Sequence, residues 1–328
     1  MNAALRALAR QRASIALPCK SADLVTYLTV AQSHPRWLVE RWLARDGPER
    51  TEAMCCANNI LPPLAVRANR LRATREQLIE SLTAEGCHVE PSRLAPDAVV
   101  IHAHPPLDHV RCYAEGWFYV QDEAATLSGY LLTPQPGERV LDACAAPWGK
   151  VTHLAELMGD TGEIVALDQS SHRLRLLTAN CQRLGLRSIR SLVGDATQIA
   201  LDRPFDRILV DAPCSGMGVL RRHPDAKWRK GPALIDAMQR QQSAILEHVS
   251  RFLKPGAVLV YATCSTEPEE NQDVVQAFLT RHPEYQLEPV AAYLPANARM
   301  FAHDGGYFQT WPGPEGLDGA FGVRLRRD

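Results

Sequence analysis

The stretch Asp142-Ala143-Cys144-Ala145-Ala146-Pro147-Trp148-Gly149-Lys150 decides the fold of this chain, because it runs from an apolar, strand-like segment into a helical one. Its small residues let the backbone approach a ligand closely, and Gly149 can adopt conformations that a side chain would forbid. Tight strand-to-helix turns occur in any α/β protein, so the loop alone does not identify a ligand.

Short apolar runs recur on both sides of this loop. The predicted strands are residues 139–143, 163–168, 188–193, 205–210 and 257–263, and the predicted helices between them include residues 150–158, 172–184 and 233–252. This alternation indicates an α/β fold with a doubly wound, mostly parallel sheet over residues 121–328. A ligand of such a sheet lies at the carboxyl ends of the strands.

Two shorter regions precede the sheet. Residues 24–44 have a helical pattern with Pro35 near its start, and Asp46, Gly47 and Pro48 end it, so residues 1–48 are a short helical lead-in. Residues 49–120 mix a helical signal at 74–83 with short apolar runs such as 98–102, punctuated by prolines. We predict a small α+β domain there.

Composition narrows the class of protein. The 328 residues, 46% of them hydrophobic, suit about two domains, and the net charge of -1 lacks the basic excess of a protein that coats nucleic acid non-specifically. No run reaches the ~18 apolar residues of a membrane span, and no signal-peptide pattern is evident, so we expect a cytoplasmic protein. We also expect a monomer. The nine cysteines are not spaced for a metal site or a disulfide scaffold.

Two carboxylates extend the candidate crevice. Asp168 ends the second strand, where an acidic side chain can accept hydrogen bonds from ribose hydroxyls, and Asp195 follows the third, within reach of an adenine. Asp195 by itself is more typical of a turn or a helix cap than of a ligand contact. A nicotinamide dinucleotide is an alternative ligand, but the chain has no GxGxxG motif, and Lys150 is unfavourable beside a helix N-terminus unless it has a functional use.

Two cysteines follow the next strands. One lies in Asp211-Ala212-Pro213-Cys214-Ser215-Gly216 and the other in Tyr261-Ala262-Thr263-Cys264-Ser265, so both emerge at the catalytic edge of the sheet. A free cysteine is commonly a small buried hydrophobic residue, and we interpret the other cysteines outside the 142–150 loop in that way.

These three motifs resemble those of the RsmB/Sun (Fmu, NOL/NOP) family of RNA cytosine-5 methyltransferases, and the bacterial branch that acts on 16S ribosomal RNA is the most similar. The stretches 220–225 and 267–271 add to the resemblance, which extends from about residue 50 to the C-terminus. It implies a Rossmann-like class I methyltransferase domain behind a small RNA-recognition-like domain. It also implies S-adenosylmethionine as cofactor and RNA as partner.

The resemblance also assigns roles to residues. Cys264 would be the thiolate that adds to carbon 6 of cytosine, and Cys214, a rival nucleophile by analogy with DNA methyltransferases, would assist breakdown of the adduct. Asp211 would contact the N3 and N4 edge of the base, and Lys150 would help to lower the pKa of Cys264. The predicted cofactor-binding residues are Cys144, Ala145, Ala146, Pro147, Trp148, Gly149, Lys150, Asp168, Asp195 and Asp211.

Two departures from the family pattern leave a second hypothesis open. The family loop usually reads Pro-Gly-Gly-Lys-Thr, and Trp148 in place of glycine could close the crevice or be strained by a left-handed conformation. The family's complete NusB-like helical domain is represented only by the lead-in, so RNA targeting through it is not carried over. The alternative is a non-catalytic RNA-binding or ribosome-assembly protein on a methyltransferase scaffold.

Two local basic patches are candidate RNA contacts, although a charge cluster is more often a solvated face. The first patch comprises Arg67, Arg70, Arg72 and Arg75, and the second comprises Arg221, Arg222, Lys227, Arg229 and Lys230 around Trp228. Arginine binds phosphate and stacks on bases, and the second patch follows the Cys214 loop, so we expect it to hold RNA backbone. The target cytosine must be unpaired or flipped out to reach a deep pocket.

Overall fold

The computed structural model describes residues 2–11, 16–313 and 316–328, and its first part is helical. The helices of this lead-in are α1 (Asn2–Gln11), α2 (Leu24–Thr26) and α3 (Arg36–Ala57). The helix predicted to end at residues 46–48 only breaks there: Gly47 has a φ of 78°, and after Pro48 the helix resumes to Ala57. Leu38 and Trp42 of α3 are fully buried and pack with Leu220, so the lead-in is attached to the rest of the molecule.

A small antiparallel sheet follows the lead-in. Its elements are β1 (Leu64–Ala68), α4 (Arg75–Ala84), β2 (His88–Pro91), β3 (Ala98–Ala103), α5 (Arg111–Ala114) and β4 (Phe118–Val120). The strand order is β2-β3-β1-β4. Helix α4 begins where predicted because the side chain of Thr74 accepts the Gln77 N–H, and the side chain of Gln77 accepts the Thr74 N–H in return. The predicted small α+β domain is therefore confirmed.

Within the described residues, eight strands form the large sheet, which α6 (Glu123–Leu132) precedes. Its elements are β5 (Arg139–Asp142), α7 (Gly149–Leu157), β6 (Glu163–Asp168), α8 (Ser171–Leu184), β7 (Ile189–Val193), β8 (Phe205–Asp211), α9 (Pro232–Val249), β9 (Leu253–Thr263), α10 (Gln272–Arg281), β10 (Tyr285–Glu288), β11 (Tyr307–Thr310) and β12 (Ala320–Arg327). The strand order is β10-β12-β9-β8-β5-β6-β7, and β11 pairs with β12. The strands predicted from apolar runs are β5 to β9, and they form the parallel part of the sheet.

The antiparallel extension of the sheet was not predicted. Strand β12 pairs with β9, β10 and β11, yet it contains Arg324, Arg326 and Arg327 and so lacks a purely apolar run. The guanidinium of Arg324 is buried and donates to the Glu288 carboxylate at 2.6 Å, which makes a charged residue tolerable inside the sheet.

The position of β5 fixes where a ligand can bind. Strand β6 lies on one side of β5 and β8 on the other, so the direction of winding reverses at β5. Loops at such a reversal point diverge and leave a crevice at the carboxyl ends of the strands. The loop after β5 is residues 143–148, and the loops after β6, β8 and β9 open at the same edge.

Candidate active site

The loop after β5 is held against both neighbouring strands. The N–H of Ala143 donates to the Leu209 carbonyl of β8 at 2.9 Å, and the N–H of Ala145 donates to the Leu167 carbonyl of β6 at 2.9 Å. Since both alanines carry only a methyl group, the backbone itself forms this wall of the crevice. The sequence predicted this close backbone approach.

A cavity of about 630 Å³ opens at this edge. Its volume is within the ~300 to 1,000 Å³ that small-molecule sites usually have. Trp148 lies on the wall and leaves the cavity open, so of the alternatives that the sequence left for this side chain, closure of the crevice does not occur. The lining includes the predicted residues Cys144, Ala145, Ala146, Pro147, Trp148, Gly149, Lys150, Asp168, Asp211, Cys214 and Cys264.

The two carboxylates at the β6 and β7 ends differ in placement. Asp168 is 8% exposed, lines the cavity, and accepts the Ser170 N–H at 2.7 Å through Oδ1. Asp195 is not among the lining residues, whereas its neighbours Gly194 and Ala196 are. Its Oδ1 accepts from the N–H and hydroxyl of Thr197, both at 2.8 Å, which is the turn geometry that the sequence left open as an alternative. A role of Asp195 toward adenine stays a prediction.

Cys214 and Cys264 lie side by side. They follow the parallel neighbours β8 and β9, in which Asp211 is in register with Ala262. Their Sγ atoms are 3.2 Å apart, and both residues line the cavity. The structure thus brings the two cysteines together at the edge where the strand pattern predicted them.

The two thiols have opposite pKa shifts. The hydrogen bond from Cys214 lowers the pKa of Cys264, and the charges of Lys150 and Lys230 add to this against the effects of burial and Asp211. The same hydrogen bond, together with burial, raises the pKa of Cys214 well above that of an ordinary thiol. These directions favour ionisation of Cys264 over ionisation of Cys214.

Lys150 and Asp211 form an ion pair beside the thiols. The Nζ atom of Lys150 donates to Oδ2 of Asp211 at 2.7 Å. Burial by itself lowers the pKa of Lys150, but Asp211 outweighs burial and the pKa is raised. The amine is therefore a fixed positive charge, and the unfavourable position that the sequence flagged at the start of α7 is compensated by Asp211.

A buried carboxylate joins the two cysteine loops. Glu270 is fully buried, and its Oε1 accepts the N–H of Ser215 at 2.6 Å and the side-chain amide of Gln242 at 3.2 Å. Its Oε2 accepts from the hydroxyls of Ser215 and Ser265, the residues that directly follow Cys214 and Cys264. The sequence signalled Glu270 only as part of a family motif, because its contacts are made across the fold.

Two carboxylates of the cavity escaped the sequence, and both contact Arg222, which the sequence predicted as an RNA contact. Asp122, Arg222 and Asp318 line the cavity, and Arg222 bridges the two carboxylates, with 2.8 Å from its Nη2 to Oδ2 of Asp122. Burial, with Asp318 nearby, raises the pKa of Asp122 to about 6. Asp122 and Asp318 lie far apart in the sequence, so no short motif could reveal them.

Arg67 belongs neither to an RNA-binding patch nor to a solvated face. Arg67 of β1 is fully buried, and its guanidinium donates to the buried Glu156 of α7 at 2.7 Å. A charge in this position cannot reach phosphate. Its partner lies in another domain, so the sequence gave no local sign of the pair. Arg70 and Arg72 are exposed, and Arg75 is half-buried.

The second patch is also only partly available. Arg221 and Lys227 are buried, and the Nε atom of Arg221 donates to Asp318 at 2.5 Å, so the prediction that these two hold RNA backbone is wrong. Arg229 has 83% of its side chain exposed, and Trp228 is 55% exposed. The surface that remains for RNA beside the crevice is therefore smaller than the charge pattern indicated.

Comparisons with known proteins identify the family. A family model described as 16S rRNA methyltransferase RsmB/F matches residues 129–326, and a model of the RsmF/B-like ferredoxin-like domain matches residues 34–108. The chain belongs to the RsmB/F methyltransferase family. The resemblance noted in the sequence is thereby confirmed, and membership removes the dinucleotide oxidoreductase alternative.

Relatives of known name agree with the family. The chain is 37% identical to the probable ribosomal RNA small subunit methyltransferase B of Bacillus subtilis, over 100% of this chain and 73% of that protein. It is 43% identical to ribosomal RNA small subunit methyltransferase B of Pseudomonas syringae, over 77% of this chain and 56% of that protein. The chain thus spans between about half and three quarters of the length of these relatives.

Solved structures share the architecture. A methyltransferase homologue from Pyrococcus horikoshii is similar with a TM-score of 0.78 and 28% identity, covering 91% of this chain and 97% of that one. NSun6 from the same organism, solved with SFG, has a TM-score of 0.80, 22% identity, and coverage of 90% of this chain and 99% of that one, and shows a common fold. The predicted Rossmann-like methyltransferase domain behind a small α+β domain is confirmed.

The predicted cofactor, S-adenosylmethionine, is confirmed by family membership, and the residues present fit it. The buried carboxylate of Asp168 at the end of β6 can accept from ribose hydroxyls, and the alanine-rich loop after β5 admits close backbone contact. In the described parts of the chain, no helix is long and apolar enough to cross a membrane.

Proposed function

We propose that this protein transfers a methyl group from S-adenosylmethionine to carbon 5 of a cytosine in RNA through a covalent Cys264 adduct, and that the RNA is small-subunit ribosomal RNA. The observation that carries the proposal is the pair of Sγ atoms 3.2 Å apart on the cavity that Asp168 and Lys150 also line. Two thiols in contact serve the addition to cytosine and its reversal.

Cys264 supplies the nucleophile. Carbon 5 of cytosine is a poor nucleophile until a thiolate adds to carbon 6 and raises the electron density at carbon 5. The lowered pKa of Cys264 favours the thiolate, because Cys214 donates its S–H and Lys150 provides positive charge. The sulfur–carbon bond forms with the electron pair of that thiolate, while the C5=C6 π electrons move onto carbon 5, the atom that then accepts the methyl group.

Cys214 assists the reverse step. After carbon 5 has accepted the methyl group that S-adenosylmethionine supplies when bound, its proton must leave and the Cys264–carbon bond must break. The Sγ atom of Cys214 lies 3.2 Å from that of Cys264, so Cys214 is placed beside the bond that must break. Loss of Cys214 should therefore leave the adduct in place.

Asp211 and Lys150 orient the base. The carboxylate of Asp211 lies on the cavity and is held by the Lys150 amine, so its direction is fixed before substrate enters. A fixed carboxylate oxygen accepts from the exocyclic N4 amino group of cytosine, a donor that uracil lacks. This pair therefore discriminates cytosine from uracil as well as assisting Cys264.

The residues that would hold the cofactor are the loop 144–149 and Asp168. Small residues and backbone groups of the loop would contact the methionine part, and Asp168 would accept from the ribose. The non-catalytic alternative rests on the left-handed backbone of Trp148, with φ of 76°. The open cavity favours the catalytic function.

The test is methyl transfer from labelled S-adenosylmethionine to small-subunit ribosomal RNA that lacks the modification. We expect 5-methylcytosine by nucleoside mass spectrometry, no product with Cys264→Ala, and normal product with Cys56→Ala, a cysteine of α3 outside the site. Activity that survives Cys264→Ala contradicts the proposed nucleophile. RNA binding without any binding of S-adenosylmethionine in calorimetry would favour the non-catalytic alternative.

A further inference from the structure

The cofactor loop contains a conformation that is unusual for its residue. Trp148 has φ of 76° and ψ of -10°, in the left-handed region, and it directly precedes α7. For an L-residue this region is strained, because Cβ approaches the following carbonyl oxygen, and glycine is the residue that adopts it freely. A conformation of this kind persists only where its surroundings hold it.

The carbonyl groups around Trp148 all have donors. The Tyr119 hydroxyl of β4 donates to the Pro147 carbonyl at 2.8 Å, which fixes the peptide plane before Trp148. The N–H and hydroxyl of Thr152 both donate to the Trp148 carbonyl at 3.1 Å, which fixes the plane after it. The Arg67 guanidinium of β1 donates to the Gly149 carbonyl at 2.8 Å.

Two of these donors, Tyr119 and Arg67, come from the small domain. Arg67 is fully buried, and Glu156 and Thr152 of α7 also accept hydrogen bonds from its guanidinium. The fit is close, since a Cβ added at Gly149 would lie 3.1 Å from Cδ of Gln121 and 3.3 Å from a ring carbon of Tyr119. The small domain is therefore packed directly on the loop that lines the cofactor cavity.

We propose that Tyr119 and Arg67 are positioning residues, which hold the strained Trp148 backbone in the conformation that binds S-adenosylmethionine. The affinity for the cofactor then depends on the small domain, whose Tyr119 also lines the cavity. The inference rests on the proposed function in that it takes S-adenosylmethionine as the ligand of the cavity. It concerns a residue, Trp148, at which this chain departs from the glycine expected there.

The experiment is a double-mutant cycle between Tyr119→Phe and Trp148→Gly. Tyr119→Phe removes one hydroxyl and keeps the ring, so the fold is retained. The matched control is Tyr130→Phe, which removes another hydroxyl bond between the domains, that from Tyr130 to Asp97 at 2.6 Å, away from the loop. The two readouts are the dissociation constant of S-adenosylmethionine by calorimetry and the urea midpoint of the cofactor-free protein.

With tryptophan present, we expect Tyr119→Phe to weaken cofactor binding about fivefold, the factor that one typical hydrogen bond represents. In the Trp148→Gly background the same change should weaken it less than about twofold, because glycine needs no support in this conformation. The urea midpoints should show the same non-additivity. Tyr130→Phe should leave cofactor affinity unchanged, and the KM for RNA should not respond to Tyr119→Phe.

The proposal would be overturned if Tyr119→Phe reduced the affinity for S-adenosylmethionine equally with tryptophan and with glycine at position 148. It would also be overturned if Tyr130→Phe reduced that affinity as much as Tyr119→Phe does. The double-mutant cycle of urea midpoints is measured on the cofactor-free protein. If the wild-type protein fails to bind S-adenosylmethionine, the proposed function is contradicted, while additive or non-additive midpoints still decide whether the small domain supports Trp148.

Discussion

Replacing Glu270 with glutamine is expected to slow methyl transfer without weakening cofactor binding. The fully buried carboxylate accepts hydrogen bonds from Ser215, Ser265 and Gln242, and does not line the cavity. Glutamine has the same shape but one acceptor oxygen, and its amide group would face the serine hydroxyls, which must then rotate to accept. The cysteine loops lose their common charged anchor.

The magnitude follows from the contacts. A hydrogen bond to a charged group contributes about 1.5 to 3 kcal/mol, and one to a neutral group about 0.5 to 1.5 kcal/mol. Each of the four hydrogen bonds to Glu270 therefore loses about 1 kcal/mol, which bounds the effect at roughly 4 kcal/mol. Rotation of the hydroxyls recovers part of this, and we expect a loss of about 2 kcal/mol in the free energy of unfolding. A shift of either thiol by ~1 Å lowers the rate about a hundredfold.

The assay is single-turnover methylation of RNA at saturating cofactor, with affinity measured separately by calorimetry. The matched control is Glu267→Gln, since Glu267 is equally buried in the same segment but accepts from Arg41, Trp42 and Arg45 of the lead-in. We expect Glu267→Gln to lower stability and to leave the rate within a few fold. A wild-type rate in Glu270→Gln, or equal slowing in both variants, would refute the reasoning.

Three further outcomes are expected. Alkylation of Cys264 should show a higher pH midpoint in Cys214→Ala than in Cys214→Ser. Only serine keeps a hydrogen-bond donor to the Cys264 thiolate, and the lowered pKa of Cys264 depends first on that donor. Equal midpoints would contradict this. Trp148→Gly should lower the free energy of unfolding in urea by about 1 kcal/mol. The lost packing of a partly buried indole, about 2 to 3 kcal/mol, exceeds the relieved strain of about 1 to 2 kcal/mol. A net gain in stability would show that strain dominates. Arg67→Met should lower the free energy of unfolding by about 3 to 5 kcal/mol, because it leaves Glu156 as an unpaired buried carboxylate. Adding Glu156→Leu should restore most of that stability; no restoration would mean that the broken ion pair is not the cause.

The parallel half of the sheet was predictable because its strands are apolar runs bounded by helical patterns. The common position of Cys214 and Cys264 followed from the rule that parallel strands end at one edge, although their contact distance did not. Strand β12 escaped because Arg324 interrupts its apolar pattern, and only the folded structure supplies Glu288 as its partner.

The electrostatics of the site were less predictable than the sheet. Arg67 with Glu156, and Ser215 with Glu270, are pairs separated by 89 and 55 positions in the sequence. A cluster of arginines in the sequence therefore indicated an exposed basic face where the fold instead buries Arg67 in an ion pair. The strain at Trp148 was foreseen as a possibility, but the donors that hold it come from another domain.

The most direct test of the catalytic assignment is covalent capture of RNA by Cys214→Ala in the presence of S-adenosylmethionine. The account predicts a protein–RNA species that survives denaturing electrophoresis and that disappears when Cys264→Ala is added to the same chain. Capture that persists without Cys264, or normal turnover with no captured species in Cys214→Ala, would contradict it.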